Sequence, residues 1–211
     1  MRRRPIVRIL DAADPETLAQ ADVDWWLEAT AEERILAVEE AKRDYERMGG
    51  RLTPRSRGGL NSDFEDFFRL LNEHGVEYLI VGGYAVSFHS TPRYTKDIDI
   101  LLRPSIDNAR RAIAAMTEFI GAPDLTPERL ARPGKVLMFG VPPTRIDVLS
   151  SIDGCSFAKA WPRRVESRYG RQKVWFLGLN DLIRAKKAAG RDQDRIDVER
   201  LLRAKRRRRE D

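Results

Sequence analysis

Apolar and polar positions follow two rhythms along this chain, one near 3.6 residues and one near 2. From Asn61, NSDFEDFFRLLNEHG places Phe64, Phe67, Phe68 and Leu71 at helical spacing and stops at Gly75, which predicts an amphipathic helix. VEYLIVGG follows and is apolar throughout; such a run predicts a strand buried on both faces. GYAVSFH reads as a short helix ended by Pro92, and DIDILL as the next strand. SIDNARRAIAAMTEFIG opens on Ser105 as N-cap and carries apolar residues at 106, 109, 113, 116 and 120, again helical spacing. KVLMFG and TRIDVLS predict two strands with Pro142 and Pro143 turning the chain between them, and QKVWFL predicts another. Asn180 is expected to cap the helix DLIRAKKAA, Gly190 to end it, and DRIDVERLLRAK to form the last helix. The order α-β-α-β-α-β-β-β-α-α predicts an α/β (α+β) fold in which helices pack on a small mixed sheet.

The first fifty residues have a different texture. EATAEERILAVEEAKRDYERMGG opens with Thr30 and Glu33 as a capping box and closes on Gly49 and Gly50. Ile35, Val38, Ala41, Tyr45 and Met48 give it one apolar stripe. Trp25 and Trp26 precede it and are too large to leave in water, so they are expected to dock on the main domain or a partner. The segment after it, rich in Gly, Pro and Arg, reads as a linker. The expected organisation is a helical module over 1–50, a linker over 51–60, a main domain over 61–204 and a basic tail over 205–211.

Composition narrows the setting. With 211 residues and one cysteine, Cys155, the chain can build a real core and has no disulfide framework. No apolar run reaches the roughly 18 residues of a membrane span, and the opening MRRRPIVRIL lacks the apolar region of a signal peptide. A soluble, cytoplasmic protein with no membrane partner is expected. The net charge of +6 is uneven: residues 159–211 hold 18 Lys and Arg against 8 Asp and Glu, a net of +10, which leaves −4 for the rest. The ending AKRRRRED suits a solvated tail and equally a polyanion such as RNA.

The candidate chemistry lies in YLIVGGYAVSFHSTPRYTKDIDILL, residues 78–102. Residues two apart on a strand share a face, so Asp97 and Asp99 stand side by side with Ile98 and Ile100 anchored opposite. Two carboxylates that close repel and lose hydration. A hard divalent cation with oxygen ligands resolves this, and Mg²⁺ or Mn²⁺ would leave positions for substrate phosphates. Asp147, flanked by Ile146 and Val148, supplies a third carboxylate from another strand. Gly82 and Gly83 sit where a buried strand becomes a helix, and a helix N-terminus free of side chains admits phosphate. Arg93, Thr95 and Lys96 stand ready to neutralise or hydrogen-bond a triphosphate.

VGGYAVSFHSTPRYTKDIDILL resembles the active-site region of the polymerase-beta-like nucleotidyltransferases. It is most similar to bacterial predicted nucleotidyltransferases related to the type IV abortive-infection toxins, whose pattern runs GG-x-A, often His-Gly, then R-x-T-x-D-[IL]-D. Gly82, Gly83, Ala85, His89, Arg93, Thr95, Asp97, Ile98 and Asp99 match it, and Ser90 stands where glycine is common, which implies a local backbone change. LIRAKKAAGRDQDRIDVERL is similar to the family's K-x-A-x-x-R-x-x-D-x-x-D ending through Lys186, Arg191, Asp194 and Asp197. Altogether the likeness runs from about Phe64 to Leu202. It implies a metal-dependent enzyme that transfers a nucleoside monophosphate from an NTP to a tRNA-like RNA 3′ end or a protein hydroxyl. Asp97, Asp99 and Asp147 would hold the metal, with Asp147 also the general base; Gly82, Gly83, Arg93, Thr95, Lys96 and Lys186 would hold the nucleotide. A role beside a cognate toxin or antitoxin partner is also implied, and the first fifty residues are similar to small helical proteins encoded beside such enzymes. The competing reading is a non-catalytic antitoxin-like or RNA-binding module that keeps the fold.

Several residues have plainer expectations. His89 is expected to be a core or capping histidine, and Cys155, with no activating neighbour, to be inert. Asp194 and Asp197 are expected to cap the last helix and pair with Arg191 and Arg195. Trp161, Trp175 and Phe176 are expected in the core.

Overall fold

The computed structural model describes residues 61–208 apart from 92, 94, 96, 122, 124, 135 and 140–144, together with Thr30, Ile35 and Leu36. Lys96, Trp25, Trp26, the linker, most of the N-terminal helix and the Pro142-Pro143 turn lie outside these residues.

The described chain forms a six-stranded mixed sheet and packed helices, the α/β architecture the periodicities predict. In order these are α1 (Ser62–Glu73), β1 (Tyr78–Val81), α2 (Gly82–His89), β2 (Asp97–Leu102), α3 (Ile106–Ile120), α4 (Pro127–Ala131), β3 (Val136–Phe139) and β4 (Arg145–Leu149). Then come α5 (Phe157–Ala160), a 3₁₀ turn (Trp161–Arg163), β5 (Val165–Tyr169), β6 (Gln172–Phe176), α6 (Leu179–Ala189) and α7 (Asp192–Arg207). The sheet order is β3-β4-β2-β1-β6-β5. β1 runs antiparallel to β2 and parallel to β6, β2 runs parallel to β4, and hairpin partners β3 and β5 close the two edges.

β1 is buried at all four positions; because its side chains alternate, helices must cover both faces of the sheet centre. α1 packs on α3 and β6 through Phe64, Phe67, Phe68 and Leu71, all buried. α2 touches β2, α6 and α7, and Phe88 at its end stacks on Phe176 at 4.0 Å between ring centroids. Asn61 caps α1 by accepting from the backbone N–H groups of Asp63 and Phe64, and Ser105 caps α3 by accepting from that of Asn108.

Some expectations change. Asn180 does not cap α6: the helix begins at Leu179 with Gly178 at the N-cap and no side-chain cap bond, and Asn180 is exposed in its first turn. Of the expected stripe on α3, Ala109 and Met116 are buried but Ile106 and Ile120, at its ends, are exposed. β5, α4 and α5 are additional elements. The tail expectation also changes, since α7 carries Lys205, Arg206 and Arg207 and Arg208 donates to the His89 carbonyl at 3.3 Å. His89 takes the structural role: it is buried, and its Nε2 donates to the Leu177 carbonyl at 2.7 Å. Ser90 takes extended dihedrals open to any residue, and its hydroxyl donates back to the Val86 carbonyl at 2.8 Å. Trp161 and Trp175 pack half-buried against the core, and Phe176 is fully inside it. Burial raises the Cys155 thiol pKa, which keeps it a poor nucleophile. No helix among the described residues is long and apolar enough to cross a membrane.

Candidate active site

β2 and β4 lie side by side in parallel, with Asp97 opposite Arg145 and Asp99 opposite Asp147. Residues two apart on each strand share a face, so three carboxylates and one guanidinium form a two-by-two patch. Ile98, Ile146 and Ile100 alternate with them into the core. The patch abuts the end of β1, where Val81 pairs with Asp99 and the chain turns into α2.

The glycines at that turn serve the carboxylates first. Gly82 has φ of 59°, and a Cβ on it would stand 1.8 Å from Asp99 Oδ2. A Cβ on Gly83 would stand 2.6 Å from Thr95 Oγ1 and 3.3 Å from an Arg93 Nη2. The backbone therefore closes on Asp99, whose carboxylate accepts the Gly83 N–H at the positive end of a helix. Thr95 Oγ1 lies 3.2 Å from both the carbonyl and the carboxylate of Asp97 and holds that residue's orientation. Burial, then the charges of Asp97 and Asp147, push the Asp99 carboxyl up to about 6; Lys186 and the Gly83 N–H act against this.

Two of the three expected phosphate cations, Arg93 and Lys186, are held from the last helix. Arg93 forks onto Asp197 through Nε and Nη2, both at 2.9 Å. Lys186 Nζ reaches Asp194 at 2.7 Å and Asp197 at 2.9 Å. Asp197 is fully buried. Burial by itself would raise its pKa, but hydrogen bonds from Lys186 and Arg93 outweigh it and hold the carboxyl below the usual range. The expected pairing with Arg191 and Arg195 is thus corrected. Asp194 does accept the Arg191 backbone N–H, as a cap, but Arg195 pairs with Asp192. Tertiary partners supplied by α6 and the segment before β2 win over neighbours on the same helix, because α7 packs this face inward.

Gly82, Gly83, Arg93, Thr95, Asp97, Asp99, Asp147 and Lys186 all line one cavity of about 640 Å³. That volume lies within the range of nucleotide-sized ligand sites, roughly 300–1,000 Å³. Leu182, Ala185 and Ala189 of α6 give it an apolar wall beside the charged floor. Of the sequence-predicted residues only Lys96 is outside the described set.

The donor set suits a hard cation: three carboxylates, two of them on one strand and the third in register beside them. Among the described residues, however, no group of three or more His, Cys, Asp or Glu side chains is arranged to hold a metal ion as it stands. Two of the three carboxylates are instead bonded to Arg145. Its Nε donates to Asp147 Oδ1 at 2.8 Å and its Nη2 to Asp147 Oδ2 at 2.9 Å, and Nη2 also bonds Asp97 Oδ2. A cation already sits between two of the carboxylates. The strand pattern of TRIDVLS assigns Asp147 to the site but gives Arg145 no part. The signal was present, since Arg145 and Asp147 are two apart on one strand.

No curated protein matches the chain. A family model described as a nucleotidyltransferase of unknown function (DUF6036) matches residues 62–205, the span that contains the sheet, the carboxylate patch and both helices of the cation cluster. The chain therefore belongs to that family of nucleotidyltransferases.

Proposed function

We propose that the protein is a metal-dependent nucleotidyltransferase of the polymerase-beta-like kind, related to the abortive-infection group, that moves a nucleoside monophosphate from an NTP to an acceptor hydroxyl. The observation that carries this reading is the register of β2 and β4, which brings Asp97, Asp99 and Asp147 to the floor of a nucleotide-sized cavity. The acceptor oxygen attacks the α-phosphorus, the bond from that phosphorus to the oxygen bridging the β-phosphate breaks, and pyrophosphate leaves. Asp147 takes the hydroxyl proton. Asp97, Asp99 and Asp147 would hold Mg²⁺ or Mn²⁺, which when bound supplies positive charge against the phosphate oxygens and acidifies the acceptor hydroxyl.

The chain's own groups do the positioning. Arg93 and Lys186 are fixed by Asp197 and Asp194 at the cavity wall. An ammonium has three N–H donors and Lys186 gives its ion pairs to two carboxylates, so it retains a donor for a phosphate oxygen, while Arg93 adds a fixed positive charge beside it. Fixed donors meet charge without reorganising, which is where electrostatic catalysis gains most. The apolar wall from Leu182 to Ala189 suits the face of a base. A basic C-terminal region favours an RNA 3′ end over a protein hydroxyl as acceptor.

The test is incubation with α-labelled NTPs, Mg²⁺ and total RNA or cell lysate. Label should pass to an acceptor, and Asp99→Ala should reduce transfer by about 10³-fold or more, as expected when a charge-stabilising group at the reacting centre is removed. Absence of transfer to any acceptor with the unmodified protein, beside tight binding of a partner, would establish the non-catalytic reading instead.

A further inference from the structure

Arg145 bridges two of the three carboxylates that would hold a divalent ion. Asp97 and Asp147 point their oxygens at its guanidinium, through three hydrogen bonds from two nitrogens. A guanidinium has only donors; it cannot join a coordination sphere, and every carboxylate lone pair it takes is withheld from a metal. Nor can it stay at hydrogen-bonding distance beside a divalent ion without strong like-charge repulsion. Arg145 and the metal therefore compete for Asp97 and Asp147. The guanidinium also has somewhere to go, because its side chain is 30% exposed and lines the cavity.

The same geometry explains how the metal-free patch is tolerated. Asp97, Asp99 and Asp147 would otherwise be three neighbouring carboxylates, with Asp147 buried and the other two partly so. The position of Arg145 in β4, directly across from Asp97, makes it an internal counter-ion built into the register of the sheet. Its guanidinium is held firmly charged, first by the hydrogen bond to Asp147.

We infer that Arg145 is a resident competitor for the metal site: it neutralises Asp97 and Asp147 in the metal-free protein and is displaced when a divalent ion loads. This rests on reading the three carboxylates as a metal site. The competition makes loading dependent on metal concentration, because the ion must replace an existing set of charge-assisted hydrogen bonds rather than enter an open cage.

The test is direct Mn²⁺ binding, read from the free-ion signal in electron paramagnetic resonance, on the full chain and on Arg145→Gln. The variant should bind Mn²⁺ about ten- to a hundredfold more tightly, the scale of one charged hydrogen bond. Its thermal midpoint should fall without metal and rise more on adding it. Equal or weaker binding by the variant would overturn the competition while leaving the metal site standing. Absence of Mn²⁺ binding by both proteins would overturn the metal site as well. A second measurement needs only the unmodified protein for its readout: the Arg145 Nε–H signal in ¹⁵N spectra, assigned by its loss in Arg145→Lys. Mg²⁺ should shift that signal as it saturates the site, and a signal unmoved at saturation would sink the proposal even if Arg145→Gln failed to fold.

Discussion

Gly82 and Gly75 have nearly the same left-handed backbone, φ of 59° and 63°, but opposite surroundings. Nothing lies within 4 Å of a Cβ built on Gly75, whereas one built on Gly82 would strike the Asp99 carboxylate at 1.8 Å. Gly75→Ala should therefore show backbone strain alone, about 1–2 kcal/mol of stability, with transfer activity retained. Gly82→Ala should add displacement of Asp99 to that strain and abolish transfer; urea unfolding and label transfer on the two variants together check this. Equal activity in both would mean that Asp99 is not needed where it stands. The comparison also shows what a sequence conveys at this scale. The pairing of Asp97 with Asp99 was legible because strand side chains alternate. The glycines were legible as a place without side chains, but not what they make room for. The sequence reading gives them to phosphate, and the fold gives them first to Asp99, Thr95 and Arg93. Arg145 was hidden because its importance lies in the register of two strands that are 48 residues apart in the chain.

At the scale of elements, the long helices and five of the six strands followed from periodicity, whereas the edge strand β5 and the shortest helices did not. β5 reads VESRY, exposed at three of five positions, so its pattern is weak without the partner β6. α4 and α5 are only five and four residues long, too short for a helical period to register. The most consequential element for the site is α7, because its Asp197 ties Arg93 and Lys186 into one buried cluster. Asp197→Asn leaves those two cations short of a counter-charge in a buried setting, and the cost should be about 3 kcal/mol at pH 7. The sign of its pH dependence follows from the depressed carboxyl of Asp197 in the fold. A group whose folded pKa lies below its unfolded value, about 3.9 for an aspartate, contributes stability above that value and loses it as pH falls through the folded pKa. The gap between the parent and Asp197→Asn should thus be full at pH 7 and narrow below about pH 4. Urea midpoints across pH 3–7 measure it, and a gap that stays constant would show that the bonds, not the charge, hold the cluster.

Across the whole molecule, two features outside the cavity bear on how it works. α7 continues as a basic helix, with Arg203 and Arg206 exposed. If RNA is the acceptor, replacing both with Gln should flatten the slope of log affinity against log salt by about 1–2, at roughly 0.7 per contact for a single strand. An unchanged slope would favour a protein acceptor. The other feature is Ile35. It is only 2% exposed and belongs to the same hydrophobic core as the sheet and its helices, while its helical neighbour Leu36 is 36% exposed. The sequence assigns docking of the first fifty residues to Trp25 or Trp26, which lie outside the described residues; the contact described is that of Ile35 with the core. A short helix is marginal in water by itself, so burying a residue of its apolar stripe couples its order to the main domain. Ile35 sits in the core and not among the cavity-lining residues, so a bracing role for this contact can be tested against a lid over the nucleotide. Ile35→Ala in the full chain should cost about 2–4 kcal/mol, the range for emptying a core aliphatic site, and lower the thermal midpoint by roughly 4–16 °C for a domain of this size. Truncation before Asn61 should lower it at least as much, since it opens the same site to water. At a temperature where all three proteins are folded, kcat/KM for label transfer should agree within about threefold, because a brace acts on stability and not on the transition state. A severalfold rise in activity on truncation would restore the lid, and midpoints that do not move in either variant would mean that the segment contributes nothing to the core it touches.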